Sequence, residues 1–172
     1  AEKYAKVNWA EKIDVATGRP IEAPGMRPKG SEKVTLWPGP WGAHTWHAMS
    51  FNPQTGLAYI PTMHMSGTFS KVPELPFRDK FFTISTNIED LNKPEDTFGS
   101  LVAWDPVKQR ERWRVDYSAV WNGGTLTTAG DLVFHGTADG VFAAFDARNG
   151  KRLWSTDVQR GISSAPITYT ID

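Results

Sequence analysis

Apolar and polar positions alternate most regularly in DLVFHGTADGVFAAFDARNGKRLWSTD, residues 131–157. Leu132–His135 reads as a short strand that ends in the turn pair Asp139-Gly140. Val141–Phe145 reads as a second strand, Asp146–Gly150 as a turn, and Lys151–Thr156 as the returning strand. An Asp or Asn that opens such a turn accepts hydrogen bonds from the amides ahead of it, and Gly tolerates a positive φ. Helical windows are scarce, and Pro20, Pro24, Pro28, Pro38 and Pro40 break any long helix in the first 40 residues. The pattern predicts an all-β chain of short antiparallel strands.

Part of this pattern is written twice, as AWDPVKQRERW (103–113) and AFDARNGKRLW (144–154). The pairs Asp105/Asp146, Trp113/Trp154 and Asp116/Asp157 are each 41 residues apart, and Gln109 stands where the second copy has Gly150. Weaker echoes occur at Asp14 and Gly18, with Glu22 at the Trp position, and at Asn52 and Gly56, with Ile60 there. The turns opening at 14, 52, 105 and 146 follow at steps of 38, 53 and 41 residues. Three strands in about 25 residues, repeating at about 41, is the layout of a propeller blade. Four turn motifs predict about four blades' worth of antiparallel sheet. They are expected to form a single partial β-propeller domain over 1–172, with the long step explained by a loop insertion at about 66–99. Phe77, Phe81 and Phe82 suggest that part of this polar, Pro-interrupted insert packs down.

Composition narrows the partners more than the fold. Eight Trp, 15 Gly and 12 Pro fit a turn-rich chain packed by indoles. Nineteen basic residues balance nineteen acidic ones, so nothing electrostatic points to nucleic acid or an anionic membrane. Cys is absent, which excludes disulfides, thiolate metal sites, covalent haem attachment and a cysteine nucleophile within this sequence. No stretch approaches the roughly 18 apolar residues of a membrane span. The charged start AEKYAKVNWAEK lacks the apolar run of a signal peptide, so any such signal is expected to have been removed already.

The AxDxxxGxxxW phrase resembles the tryptophan-docking motif of eight-bladed quinoprotein propellers, in which the indole packs on the neighbouring blade. By that resemblance Trp113 and Trp154 are stitching residues of the core. LWPGPWGAHTWHAMSFNPQTGLAYIP (36–61) is similar to the G-A-H-N-W-H-P-M segment of pyrroloquinoline quinone (PQQ)-dependent alcohol dehydrogenases, including the quinohaemoproteins. VNWAEKIDVATGRPIE (7–22) resembles the blade before it, and residues 120–172 resemble late blades of the same enzymes.

The resemblance implies that Trp46 and Thr45 contact the quinone. Thr45 stands where Asn is usual, offering one short hydroxyl in place of an amide donor and carbonyl acceptor; Ala48 stands where Pro is usual. Trp121, in Trp121-Asn122-Gly123-Gly124, reads either as the rim of the quinone pocket or as a packed strand-start indole. Family catalysis further implies a calcium ion acting as a Lewis acid on the quinone carbonyl, an Asp general base, a small alcohol substrate and a cytochrome-type electron acceptor. It also implies a periplasmic location. The calcium ligands, the base, a vicinal disulfide and the Arg and Lys that grip the cofactor belong to blades upstream, and nothing here matches them. No catalytic or metal-binding residue is therefore expected in this chain.

The histidines carry little chemistry on this reading. His44 and His47 are expected to splay apart in an extended segment. Met63-His64-Met65 reads as a strand end with Met in the core, and His135 as a satisfied core or channel-lining side chain. About half of a ring, stopping at ITYTID in mid-strand by the family's pattern, would expose strand edges and require the remaining blades or self-association. The expected function is a segment of an enzyme that oxidises a primary alcohol to an aldehyde, inactive alone. The alternatives are a non-enzymatic scaffold built on the same motif, which leaves GAHTWHAM unexplained, and a pseudoenzyme with a spoiled pocket.

Overall fold

The computed structural model describes residues 2–72, 86–89 and 97–171, and the chain is all-β over them. Among the described residues thirteen strands form four antiparallel sheets. β1 (Ala10–Ile13) and β2 (Pro20–Glu22) make a hairpin. β4 (Ser50–Asn52), β5 (Leu57–His64), β8 (Phe98–Asp105) and β9 (Arg110–Tyr117) follow one another across a four-stranded sheet. A second four-stranded sheet holds β10 (Thr125–Thr127), β11 (Leu132–Gly136), β12 (Val141–Asp146) and β13 (Arg152–Asp157) in the same up-and-down order. Both have the plan of a propeller blade.

The fourth sheet joins β3 (Lys33–Leu36) to β6 (Gly67–Lys71) and β7 (Thr86–Glu89). Part of the expected loop insertion is thus strand, pairing with a segment before the first full blade. Phe77, Phe81 and Phe82 lie outside the described residues. The four sheets do not correspond to the four turn motifs one by one. The Asn52 turn joins β4 to β5 and the Asp105 turn joins β8 to β9, so both belong to one blade. Two blades are complete, and the Asp14 turn closes the β1–β2 hairpin. Residues 158–171 carry no regular element, so the described part of ITYTID, expected in mid-strand, is not strand.

The repeated phrase folds the same way twice. Asp105 Oδ1 accepts the Val107 and Lys108 amides, and Asp146 Oδ1 accepts the Arg148 amide. Gly150 takes φ +73°, and Gln109 takes the corresponding left-handed conformation at φ +49° despite its side chain. In both sheets the ladder then slips by one residue. Ala103 faces Trp113 while Trp104 faces Glu111; Ala144 faces Trp154 while Phe145 faces Arg152. This bulge leaves Arg112 or Leu153 unpaired just before the Trp and re-aims the indole.

The core lies between the two blades. Leu57, Tyr59, Leu101, Ala103 and Trp113 of the first meet Val133, Ala143, Phe145 and Ala147 of the second, with Val115 and Tyr117 at the edge. Trp113 is 8% exposed; its Nε1 donates to the Ala147 carbonyl at 3.0 Å, and the Tyr59 hydroxyl donates to the same oxygen at 2.9 Å. A Cβ on Gly150 would stand 2.6 Å from the Trp113 ring, so the indole lies flat on the next turn. Trp154 ends the same phrase yet is 50% exposed, and among the described aromatic rings it touches Phe142 alone, edge-on. β13 is exposed along its length because no further sheet covers it among the described residues. The expectation of a core position thus holds for Trp113 and not for Trp154.

Candidate functional site

Trp46 and Trp121 each sit four residues before the first strand of their blade, β4 and β10. The two strands meet where Ser50 Oγ and Thr125 Oγ lie 2.9 Å apart and the Thr125 amide donates to the Ala48 carbonyl. The segments before them therefore emerge side by side at one end of the blade pair. The first is laced to β5 and the residue that follows it: Gly39 N donates to the Met65 carbonyl, Met63 N to the Ala43 carbonyl, and His44 Nδ1 to the Pro61 carbonyl at 2.8 Å. Met63 and Met65 are buried as expected, and His64 is sandwiched between the Trp37 and Phe98 rings.

The second segment is held residue by residue. Asn122 Nδ2 donates to the Ala119 carbonyl, and Asn122 Oδ1 accepts the Ala138 amide. Gly123 N donates to the Gly136 carbonyl. A Cβ on Gly124 would meet the Ala48 amide nitrogen at 2.9 Å, so the two loops touch where only Gly fits.

The two loops present a row of aromatic rings. Trp46 stacks on His47 with centroids 4.1 Å apart, His47 tilts against Trp121 at 5.7 Å, and Trp41 meets Trp121 edge-on at 5.9 Å. Trp46 is 69% exposed and Trp121 37% exposed, while His47 is buried between them. Burial, and next to it the neighbouring His44, lowers the His47 pKa, so a neutral imidazole spaces the two indoles. One face of the Trp46 ring is covered by His47 and the ring remains largely open, an arrangement that can stack on a flat conjugated ligand. Thr45 is half-buried beside it, and its hydroxyl makes no hydrogen bond to another described residue, leaving a donor and an acceptor available.

The three expected site residues thus lie in two adjoining loops, with Trp46 and Trp121 joined through His47. Trp41 and His47 were not anticipated as parts of this face. Their signal was a Trp or His within five residues of Trp46, in a segment whose prolines and glycines exclude regular structure. Beneath the face, His135 is fully buried, its Nδ1 3.0 Å from the Tyr117 hydroxyl and its Nε2 3.0 Å from the Gly123 carbonyl. Burial pushes its pKa down to about 4. Among the described residues no three His, Asp or Glu side chains gather closely enough to hold a metal ion.

Comparison with known proteins agrees with this architecture. The family model for the glucose/ethanol/alcohol dehydrogenase β-propeller domain with PQQ matches residues 92–172. The chain is 49% identical over 173 residues to quinohemoprotein alcohol dehydrogenase ADH IIB of Pseudomonas putida, covering 99% of this chain and 25% of that protein. It is 41% identical over 181 residues to the 1-butanol dehydrogenase (cytochrome c) of Thauera butanivorans, covering 100% of this chain and 26% of that one. The solved quinohemoprotein alcohol dehydrogenase ADHIIG of Pseudomonas putida superposes with a TM-score of 0.90 at 37% identity, over 99% of this chain and 27% of its own. The chain spans about a quarter of the length of these relatives. In sequence and in fold the chain matches about a quarter of the length of PQQ-dependent quinohaemoprotein alcohol dehydrogenases, and residues 92–172 match the family's β-propeller domain.

Proposed function

We propose that this chain is a segment of a PQQ-dependent alcohol dehydrogenase that oxidises a primary alcohol to an aldehyde, and that it contributes one aromatic wall of the quinone site. The observation that carries the proposal is the open Trp46 ring, backed by His47 and continued by Trp121, beside the free Thr45 hydroxyl. A planar, oxygen-rich quinone requires that pairing of an apolar face with a short polar group. When bound, the quinone supplies an electrophilic carbon that accepts hydride from the alcohol. Trp46 and Trp121 would hold and orient its ring and exclude water from one side, and the Thr45 hydroxyl would offer it a hydrogen bond. Calcium, the general base, the alcohol pocket and the cytochrome-type acceptor are assigned to the rest of the protein, and the periplasm to its location. No helix among the described residues is long and apolar enough to cross a membrane.

The test is to mix the chain with PQQ and calcium and to follow binding and alcohol-dependent dye reduction. Weak or no binding and no turnover are expected, because one wall does not make a site. Robust turnover by the chain alone contradicts the placement of the catalytic groups elsewhere. Thr45→Asn in the full-length protein then separates a working site from a spoiled one. A working site keeps its quinone affinity within a few-fold, whereas a pocket spoiled by Thr45 gains affinity with the amide.

A further inference from the structure

The Trp121 loop is built around a buried histidine. His135 lies in β11 opposite Thr125 of β10 and Ala143 of β12, and it has no solvent exposure. Its Nε2 faces the carbonyl oxygen of Gly123, which can only accept, so Nε2 carries the proton. Nδ1 is then a lone pair, and the Tyr117 hydroxyl, 3.0 Å away, must donate to it. Tyr117 belongs to β9 of the preceding blade and Gly123 to the loop that precedes β10. One imidazole therefore ties the edge of one blade to the turn that carries Trp121.

The Gly123 carbonyl has no other described hydrogen-bond partner. The loop is closely packed at this point: a Cβ on Gly123 would stand 2.8 Å from the Ser164 carbonyl and 3.1 Å from that of Gly136. An apolar residue at 135 would strand a buried carbonyl and leave a half-buried tyrosine hydroxyl without this partner. We infer that His135, held as its Nε2–H tautomer between Tyr117 and Gly123, is a positioning residue that sets the Trp121 side of the aromatic face. This rests on the quinone reading only for what Trp121 is used for. The positioning is a property of the loop.

The experiment uses nitrogen-15 NMR on the chain itself. In the wild type, His135 is expected to show a protonated Nε2 and an unprotonated Nδ1. An Nδ1–H tautomer overturns the inference without any variant. In His135→Leu, the Trp121 indole N–H resonance, assigned by its loss in Trp121→Phe, should shift, and the Gly123 amide should exchange at least about ten-fold faster. His135→Gln should restore both, because its amide N–H reaches the Gly123 carbonyl and its oxygen accepts from Tyr117. Tyr117→Phe should move the Trp121 signal less, since the Gly123 bond survives.

If Leu and Gln behave alike, or the Trp121 signal stays unmoved in Leu, the inference fails even where quinone binding is intact. A PQQ titration of the full-length protein forms a separate arm. If Trp121→Ala leaves PQQ affinity unchanged, the quinone role of Trp121 fails; a shifted Trp121 signal in His135→Leu then still supports the positioning role.

Discussion

Replacing Trp113 and Trp154 by Ala compares two residues that end the same phrase in different surroundings. Trp113 lies flat over Gly150, donates to the Ala147 carbonyl and contacts Tyr59, and almost all of its surface is removed from water. Truncating a buried indole costs about 3–5 kcal/mol through lost transfer energy and the cavity left behind. The Ala147 carbonyl keeps the Tyr59 hydroxyl as a donor, so little is added for an orphaned acceptor. Trp154 touches one ring edge-on and is half exposed, so Trp154→Ala should cost less than about 1 kcal/mol. Urea unfolding followed by circular dichroism measures both. With a slope of about 2 kcal/mol per molar, Trp113→Ala should lower the midpoint by about 2 M and Trp154→Ala by less than about 0.5 M. Trp113→Phe keeps most of the apolar contact and loses the N–H, and should fall between at about 1–2 kcal/mol. Equal losses for the two Ala variants, or a Trp113→Ala loss under about 1 kcal/mol, refute the claim that this indole joins the blades.

Other perturbations probe the same frame. Gly150→Ala places a methyl against the Trp113 ring at a φ of +73° and should cost more than about 2 kcal/mol in the same unfolding assay. Gln109→Gly relieves a left-handed residue at the matching turn and should stabilise by about 1 kcal/mol, less the exposed bond from the Glu2 amide. His135 stays neutral in the fold down to about pH 4, whereas in the unfolded chain it protonates near 6.5. Its contribution is thus fully present above pH 6.5 and is lost as pH falls toward 4, by about 3 kcal/mol in all. His135→Gln should flatten that slope, measured as unfolding midpoint against pH.

The strands around the doubled phrase were legible because alternation and turn chemistry are local: Val141–Asp146 and Arg152–Asp157 form where the pattern put them. The assignment of turns to blades was not. Asn52 and Asp105 open turns by the same side-chain-to-amide bonds, and nothing local distinguishes an inner hairpin from an outer one. Their membership of one sheet depends on β5 pairing with β8 across the whole insert. The β3–β6–β7 sheet was hidden because β3 and β7 are short, largely polar and half exposed. Trp113 and Trp154 show the same limit from another side, since burial depends on the sheet that comes next. At the candidate site, the resemblance pointed to Trp46 and Trp121, which lie in adjoining loops, while His47 between them and His135 beneath emerged only from the approach of the two loops.

The claim that most needs testing is that the open face of Trp46 holds the quinone. PQQ titrated into the full-length protein with calcium, followed by tryptophan quenching, should bind at least about ten-fold more weakly to Trp46→Ala than to the wild type, the equivalent of about 1.4 kcal/mol of lost stacking. Equal affinity for the two proteins would contradict the account.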